Sequence, residues 1–232
     1  MRPFLQQLKW QFILLHKNSI ISISLGVTAI YGAILFWLKD LSGIDQVLIS
    51  IILNDPSIIG YFFIALAVYT EMKHQILSAI FTTPIKLHHY IISKVMALSI
   101  IGLVCSLGIA FFIKGLGFGI LNFSIGTFGI CLLSSLLGVI MLTFASDFLK
   151  FAMKSIFLFV PFISIPLLQY LGVIDLKFIK YFIPIQGCLS LIENGISGTE
   201  INLWYAYISI LFWIPVLYIL AYNIFSKKIV HQ

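Results

Sequence analysis

Few side chains in this chain can carry charge or hold a ligand, and one inner stretch holds several of them. The stretch YTEMKHQILSAIFTTPIKLHHYIISK, residues 69–94, holds Glu71, Lys73, His74, Lys86, His88, His89 and Lys94. Glu71, His88, His89 and Asp147 are the candidate acid and base groups. No HExxH, no paired aspartates within a span and no serine–histidine arrangement organises them, so an intramembrane enzyme lacks its reacting centre. Neighbouring histidines face different directions on a helix, and no third ligand accompanies His88 and His89, which argues against a metal. Cys105, Cys131 and Cys188 lie far apart without CxxC spacing, and the first two fall in apolar runs, so they read as packing residues. GLGFG at 115–119 resembles a nucleotide loop only in its glycines, because no βαβ unit and no GxxxxGK accompany it. It reads as a turn, and the chain carries no cofactor site of its own.

The elements that must position these residues follow from composition. Of 232 residues, 61% are hydrophobic and only 9% charged, with 21 Phe, 10 Tyr and 4 Trp. A soluble domain carries about a quarter charged residues, so a soluble fold is excluded. The formal net charge is +6, yet the positives are scattered singly and form no basic strip, which removes a nucleic-acid partner. The lipid bilayer is the partner that this composition requires.

A helix crossing hydrocarbon needs about 20 mostly apolar residues. Charge-poor intervals predict an all-α, polytopic membrane protein with six transmembrane helices, near 18–38, 54–72, 92–113, 123–146, 155–174 and 203–226. Asp55 is counted with the acidic residues of the outer side, at the edge of the second span, and Pro161 and Pro166 are expected to kink the fifth. Residues 1–17 predict an N-terminal interfacial helix with Phe4, Leu5, Leu8, Phe12 and Leu15 near one face. With both termini cytoplasmic, ten of the 14 Lys and Arg lie inside: Arg2, Lys9, Lys17, Lys73, Lys86, Lys94, Lys150, Lys154, Lys227 and Lys228. Lys39, Lys114, Lys177 and Lys180 lie outside, beside six of the eight acidic residues, as the positive-inside rule requires. No span is expected to carry a buried charge pair at its middle, the usual mark of an ion-driven pump, so energy is expected from an outside partner.

Two non-spanning segments stand out. Residues 73–90 form a cytoplasmic segment in which Ile76, Leu77, Ile80 and Phe81 make an apolar stripe beside a basic, histidine-bearing surface, suited to the membrane surface or to a groove on a cytosolic protein. Residues 175–202 form an outer segment too apolar for an ordinary loop, expected to be re-entrant or interfacial, with Tyr181 and Pro184 in a candidate outer gate.

Glu71, then Thr82-Thr83-Pro84, then Lys94 ahead of a long apolar helix, resembles the Glu, Thr-Pro and Lys pattern of permease subunits of ABC-2 type ABC transporters. The layout of an interfacial helix, six spans and an outer segment before the last span is similar to small drug-export permeases of the fluoroquinolone type. The chain departs from the pattern at Gln75-Ile76, where Gly-Thr is common, and at Ser78, where a second acidic residue is common. The resemblance implies a non-catalytic permease in the cytoplasmic membrane of a prokaryote, working as a pair of permease subunits with a separate ATP-binding subunit that holds ATP and Mg. It implies that Glu71, Thr83, Pro84 and Lys94 serve coupling to that subunit. A heme-exporter-like permease of cytochrome maturation and a non-transporting assembly or immunity protein are the alternatives.

Overall fold

The computed structural model describes residues 2–39, 43–77 and 86–230, and among them every regular element is helical. In chain order these are α1 (Arg2–Lys17), α2 (Ile20–Trp37), α3 (Ile44–Lys73), α4 (Leu87–Lys114), α5 (Ile120–Leu142) and α6 (Phe148–Tyr170). A short 3₁₀ turn (Ile179–Phe182) leads to α7 (Gln186–Ser197) and α8 (Leu203–Phe225), and a π turn (Ser226–Val230) follows α8. Six of the described helices, α2 to α6 and α8, are long and apolar enough to cross a bilayer.

Local chemistry sets several of the breaks. Ser19 adopts a left-handed conformation (φ 59°) that separates α1 from α2. Asp147 caps α6 by accepting the Lys150 backbone N–H at 2.9 Å, and Asn202 caps α8 by accepting that of Tyr205 at 3.1 Å. At the far end of α5, the Tyr69 hydroxyl from α3 donates toward the Leu142 and Ala145 carbonyls at 2.8 and 3.0 Å. The bond ties α3 to the turn that follows α5.

The centre of the bundle is α5, with α3 and α4 against it, while α2, α6 and α8 turn most of their surface outward. Without a hydrophobic force between helices in lipid, close packing must hold this core. The α3–α5 crossing meets that need at Gly60: a Cβ there would lie 2.4 Å from the Cys131 carbonyl oxygen and 2.8 Å from Ser135 Oγ. On the other side of α3, Tyr61 and Phe62 clasp Phe151 and Phe159 of α6, with the Tyr61–Phe159 ring centres 4.5 Å apart. Helix α6 continues as one α-helix through Pro161 and Pro166.

Two ion pairs bracket the core. Lys114 meets Asp45 at 2.6 Å at one end of α3 and α4, and Lys94 meets Glu71 at 2.5 Å at the other. Twenty residues of α4 separate the two lysines, about 30 Å at the helical rise, which matches the hydrocarbon thickness.

Two regions are resolved by the structure in more detail than by sequence. Helix α3 begins at Ile44, about ten residues ahead of the expected span, so Asp55 sits well inside the helix and is buried, not at its outer edge. The 175–202 segment folds as the 3₁₀ turn and α7. Helix α7 lies along the first ten residues of α5: Gly195 meets Gly119 and Phe123, and Cys188 meets Gly126 and Gly129 deeper in the bundle. Its apolar composition is explained by this burial of Cys188, Leu189, Leu191, Ile192 and Ile196.

Candidate functional site: a buried ion pair where α3 meets α4

Glu71 lies in the last turn of α3 and Lys94 in the second turn of α4, so the two bracket the 74–86 connection. Both are almost wholly buried, at 2% and 1% exposure, which is unusual for charges so near a helix end. Lys94 Nζ donates to Glu71 Oε1 at 2.5 Å, and the Tyr90 hydroxyl donates to Glu71 Oε2 at 2.5 Å. Tyr90 and Lys94 are four residues apart on α4 and therefore share a face. The carboxylate is thus gripped by both donors from one helix, with each oxygen assigned its own. Lys94 Nζ also lies 5.0 Å from the centre of the Tyr90 ring, within reach of a cation–π attraction. Tyr90 in turn leans on Phe225, the last residue of α8, with ring centres 6.1 Å apart.

Removed from water, both ions are costly, and they persist only because each meets the other and a hydrogen-bonded phenol. The cluster therefore acts as a fastener: α3, α4 and the end of α8 cannot separate here without exposing or orphaning a charge. Tyr90 is the member that the motif reading misses, although its i, i+4 spacing to Lys94 is visible in the sequence. Of the other predicted residues at this site, Thr83 and Pro84 lie outside the described residues.

The surroundings offer surface as well as a fastener. Two cavities open on either side of Met72, each bordered by the 142–148 turn. One, about 430 Å³, is lined by Leu66, Tyr69, Lys73 and Asp147 among others, and the second, about 510 Å³, by Thr143, Phe144 and Lys228 among others. Lys154 Nζ donates to the Phe144 carbonyl at 2.7 Å, and Lys228 Nζ stands 3.5 Å over the Phe144 ring. The backbone N–H of Lys150 first, with the Ser146 hydroxyl and the Lys150 charge assisting, holds the Asp147 carboxyl below the usual aspartate range. His88 pairs with the Tyr218 hydroxyl of α8 across a short hydrogen bond, so it serves a helix contact. Among the described residues no three His, Cys, Asp or Glu side chains converge as metal ligands.

At the opposite end, Tyr181 is half exposed, with its ring 4.9 Å from that of Tyr205, whose hydroxyl donates to the Tyr181 carbonyl at 3.3 Å. Pro184 sits in the turn leading into α7. The stronger polar network here was not foreseen: Tyr207 donates to Asn122 at 2.6 Å, Asn122 to Asn194 at 2.6 Å, and Asn194 to the Thr199 carbonyl at 2.8 Å. It ties α8, α5 and α7 together. Glu193 beside it is pushed above the usual carboxylate range by burial, partly offset by a hydrogen bond to Thr199.

Six described helices long and apolar enough to cross a bilayer, packed around α5, make a polytopic membrane protein, and its family match places it among the non-catalytic permeases of the ABC-2 type. Residues 4–232 match the Fluoroquinolones export permease protein family, and the chain belongs to that family. It is a multi-pass protein of the inner membrane. Among curated proteins it is similar to the fluoroquinolones export permease proteins of Mycobacterium tuberculosis strains CDC 1551 / Oshkosh and ATCC 25618 / H37Rv, 28% identical to each over 158 residues. The aligned region covers 66% of this chain and 65% of each relative.

Proposed function

We propose that the protein is the membrane-spanning subunit of an ATP-driven ABC exporter that moves a hydrophobic or amphipathic small molecule out of the cell. It works as a pair of permease subunits with a separate ATP-binding subunit. The observation that carries the reading is the Glu71–Lys94–Tyr90 cluster, which locks together the two helices flanking the 74–86 connection. A force applied to that connection by a cytosolic partner passes into α3 and α4, the helices against the bundle centre, instead of bending a loose loop. The two cavities beside Met72 supply adjoining surface for such a partner.

The positive-inside count supports the orientation: both termini and the Glu71 end face the cytoplasm, the Asp45 end and α7 face outward, and α1 lies at the inner interface. Glu71 and Lys94, with Thr83 and Pro84 in the connection between them, form the coupling set. Tyr181 and Pro184 belong to the outer gate region, whose neighbours α7 and α8 are joined by the Asn122 network. The family's name and those of its mycobacterial relatives make fluoroquinolones the first cargo to test.

The test is reconstitution of the permease with its ATP-binding subunit into lipid vesicles, followed by ATP-dependent movement of a fluoroquinolone. Movement that requires both chains and hydrolysable ATP supports the reading. Turnover of a substrate by this chain alone, or failure to bind any ATP-binding subunit, contradicts it.

A further inference from the structure

Asp55 belongs to none of the interactions described so far. It lies in α3 and is 5% exposed, and its Oδ2 has no hydrogen-bond partner among the described residues. Its depth can be read from its neighbours. A Cβ on Gly102 of α4 would lie 3.4 Å from Pro56 Cβ and 2.8 Å from Cys131 Sγ, so Pro56, Gly102 and Cys131 share one layer. Gly102 is eight residues from Lys94 and twelve from Lys114, about 12 and 18 Å along the helix. Asp55 therefore sits near the middle of the slab that the two end ion pairs bracket.

Among the described residues no cation compensates it there. The ion pairs among the described residues are Glu71–Lys94, Asp45–Lys114 and Asp147–Lys150. The titratable groups close enough to feel an Asp55 charge are the thiols of Cys105 on α4 and Cys131 on α5, and neither supplies a positive charge. Helix α2 brings Thr28 beside Cys105 and has Tyr31 as its one ionisable side chain. The charged side chains of α6, Lys150 and Lys154, and of α7, Glu193, lie toward the two ends of the bundle. The local backbone favours a donor: Pro56 has no N–H, so the Ile52 carbonyl lacks its helical partner one turn before. The carbonyls of Ser50 and Leu53 on either side already accept from Asn54 and Ser57 at 2.8 and 2.6 Å. An unpaired carboxylate at this depth is expensive, whereas a neutral carboxyl is an uncharged donor.

We propose that Asp55 is an intramembrane proton-binding site that keeps its proton within the packed α3–α4–α5 core. The proposal concerns this chain alone and does not depend on the cargo or the ATP-binding partner.

It is tested on the full chain in lipid nanodiscs, labelled with ¹³C at the aspartate carboxyls and followed by infrared spectroscopy at neutral pH. The expected result is a protonated-carboxyl stretch that shifts in D₂O and is absent from Asp55→Asn. Full ionisation of the label at neutral pH overturns the proposal, as does a protonated band that survives Asp55→Asn. Should Asp55→Asn fail to assemble, the assignment runs by elimination. The band must survive Asp40→Asn, Asp45→Asn, Asp147→Asn and Asp175→Asn, and its loss in any of them also overturns the proposal. Thermal stability gives an independent reading. A group that keeps its proton in the fold to higher pH than in the unfolded chain loses stability as pH rises, so Asp55→Asn gains on the wild type as pH rises above the ordinary aspartate range. Parallel curves contradict the proposal.

Discussion

Replacing Glu71 by Gln leaves the Lys94 ammonium buried without a counter-ion and converts a charge-assisted bond from Tyr90 into a neutral one. At 2.5 Å and an effective dielectric constant near 20, the pair's Coulomb attraction is about 6–7 kcal/mol. Desolvation of several kcal/mol per ion offsets most of it, so the intact pair is worth little against an apolar substitute of the same shape. Removing one partner is different, because the attraction is lost while the other ion stays desolvated, at a cost of about 3–5 kcal/mol. For a chain of this size about 2–4 °C accompanies each kcal/mol, so Glu71→Gln and Lys94→Met each lower the unfolding midpoint by about 6–20 °C. Tyr90→Phe, which removes one bond to a charged acceptor, costs about 1.5–3 kcal/mol. The assay is thermal unfolding in detergent followed by intrinsic tryptophan fluorescence, run as a double-mutant cycle. The Glu71→Gln/Lys94→Met double variant should lose at least about 2 kcal/mol less than the sum of the singles. Singles within about 0.5 kcal/mol of wild type, or strictly additive losses, refute the reasoning.

Other sites give further outcomes. Gly60→Ala forces a Cβ against the Cys131 carbonyl of α5 and lowers stability by about 1–3 kcal/mol, whereas Gly26→Ala, which meets nothing within 4 Å, does not show this overpacking loss in the same unfolding assay. Tyr69→Phe removes the donor shared by the Leu142 and Ala145 carbonyls and costs about 1 kcal/mol, read as faster amide exchange at the end of α5. Because the Asp147 carboxyl titrates below its unfolded value, its contribution is full above the ordinary aspartate range and is lost as pH falls through the lower folded value. The midpoint difference between wild type and Asp147→Ala therefore shrinks on acidification, and a difference that grows contradicts the assignment.

The six spans are legible in the sequence because hydropathy is a property of the segment itself. Placing Asp55 is harder, since counting charges treats every acidic residue as the edge of a span. Whether a carboxyl can be carried inward depends on what α4 and α5 set against it, here Gly102 and Cys131, and those contacts are long-range. The same limit explains α7. Its apolar residues are plain, but the glycines that let it lie against α5 declare their purpose only once Gly195 is seen against Gly119 and Phe123. Glu71 and Lys94 were readable as a motif pair. Their burial and Tyr90's grip on the second carboxylate oxygen required two helices to pack so that residues 23 apart in sequence meet.

The central claim is that the buried cluster transmits force between an ATP-binding partner and the core helices. The most direct measurement is the number of cargo molecules moved per ATP hydrolysed in vesicles holding the permease and its partner, compared between wild type and the folded Glu71→Gln/Lys94→Met variant. The account predicts that the variant still binds its partner and the partner still hydrolyses ATP, while transport falls to background. Transport per ATP equal to wild type in that variant would contradict the account.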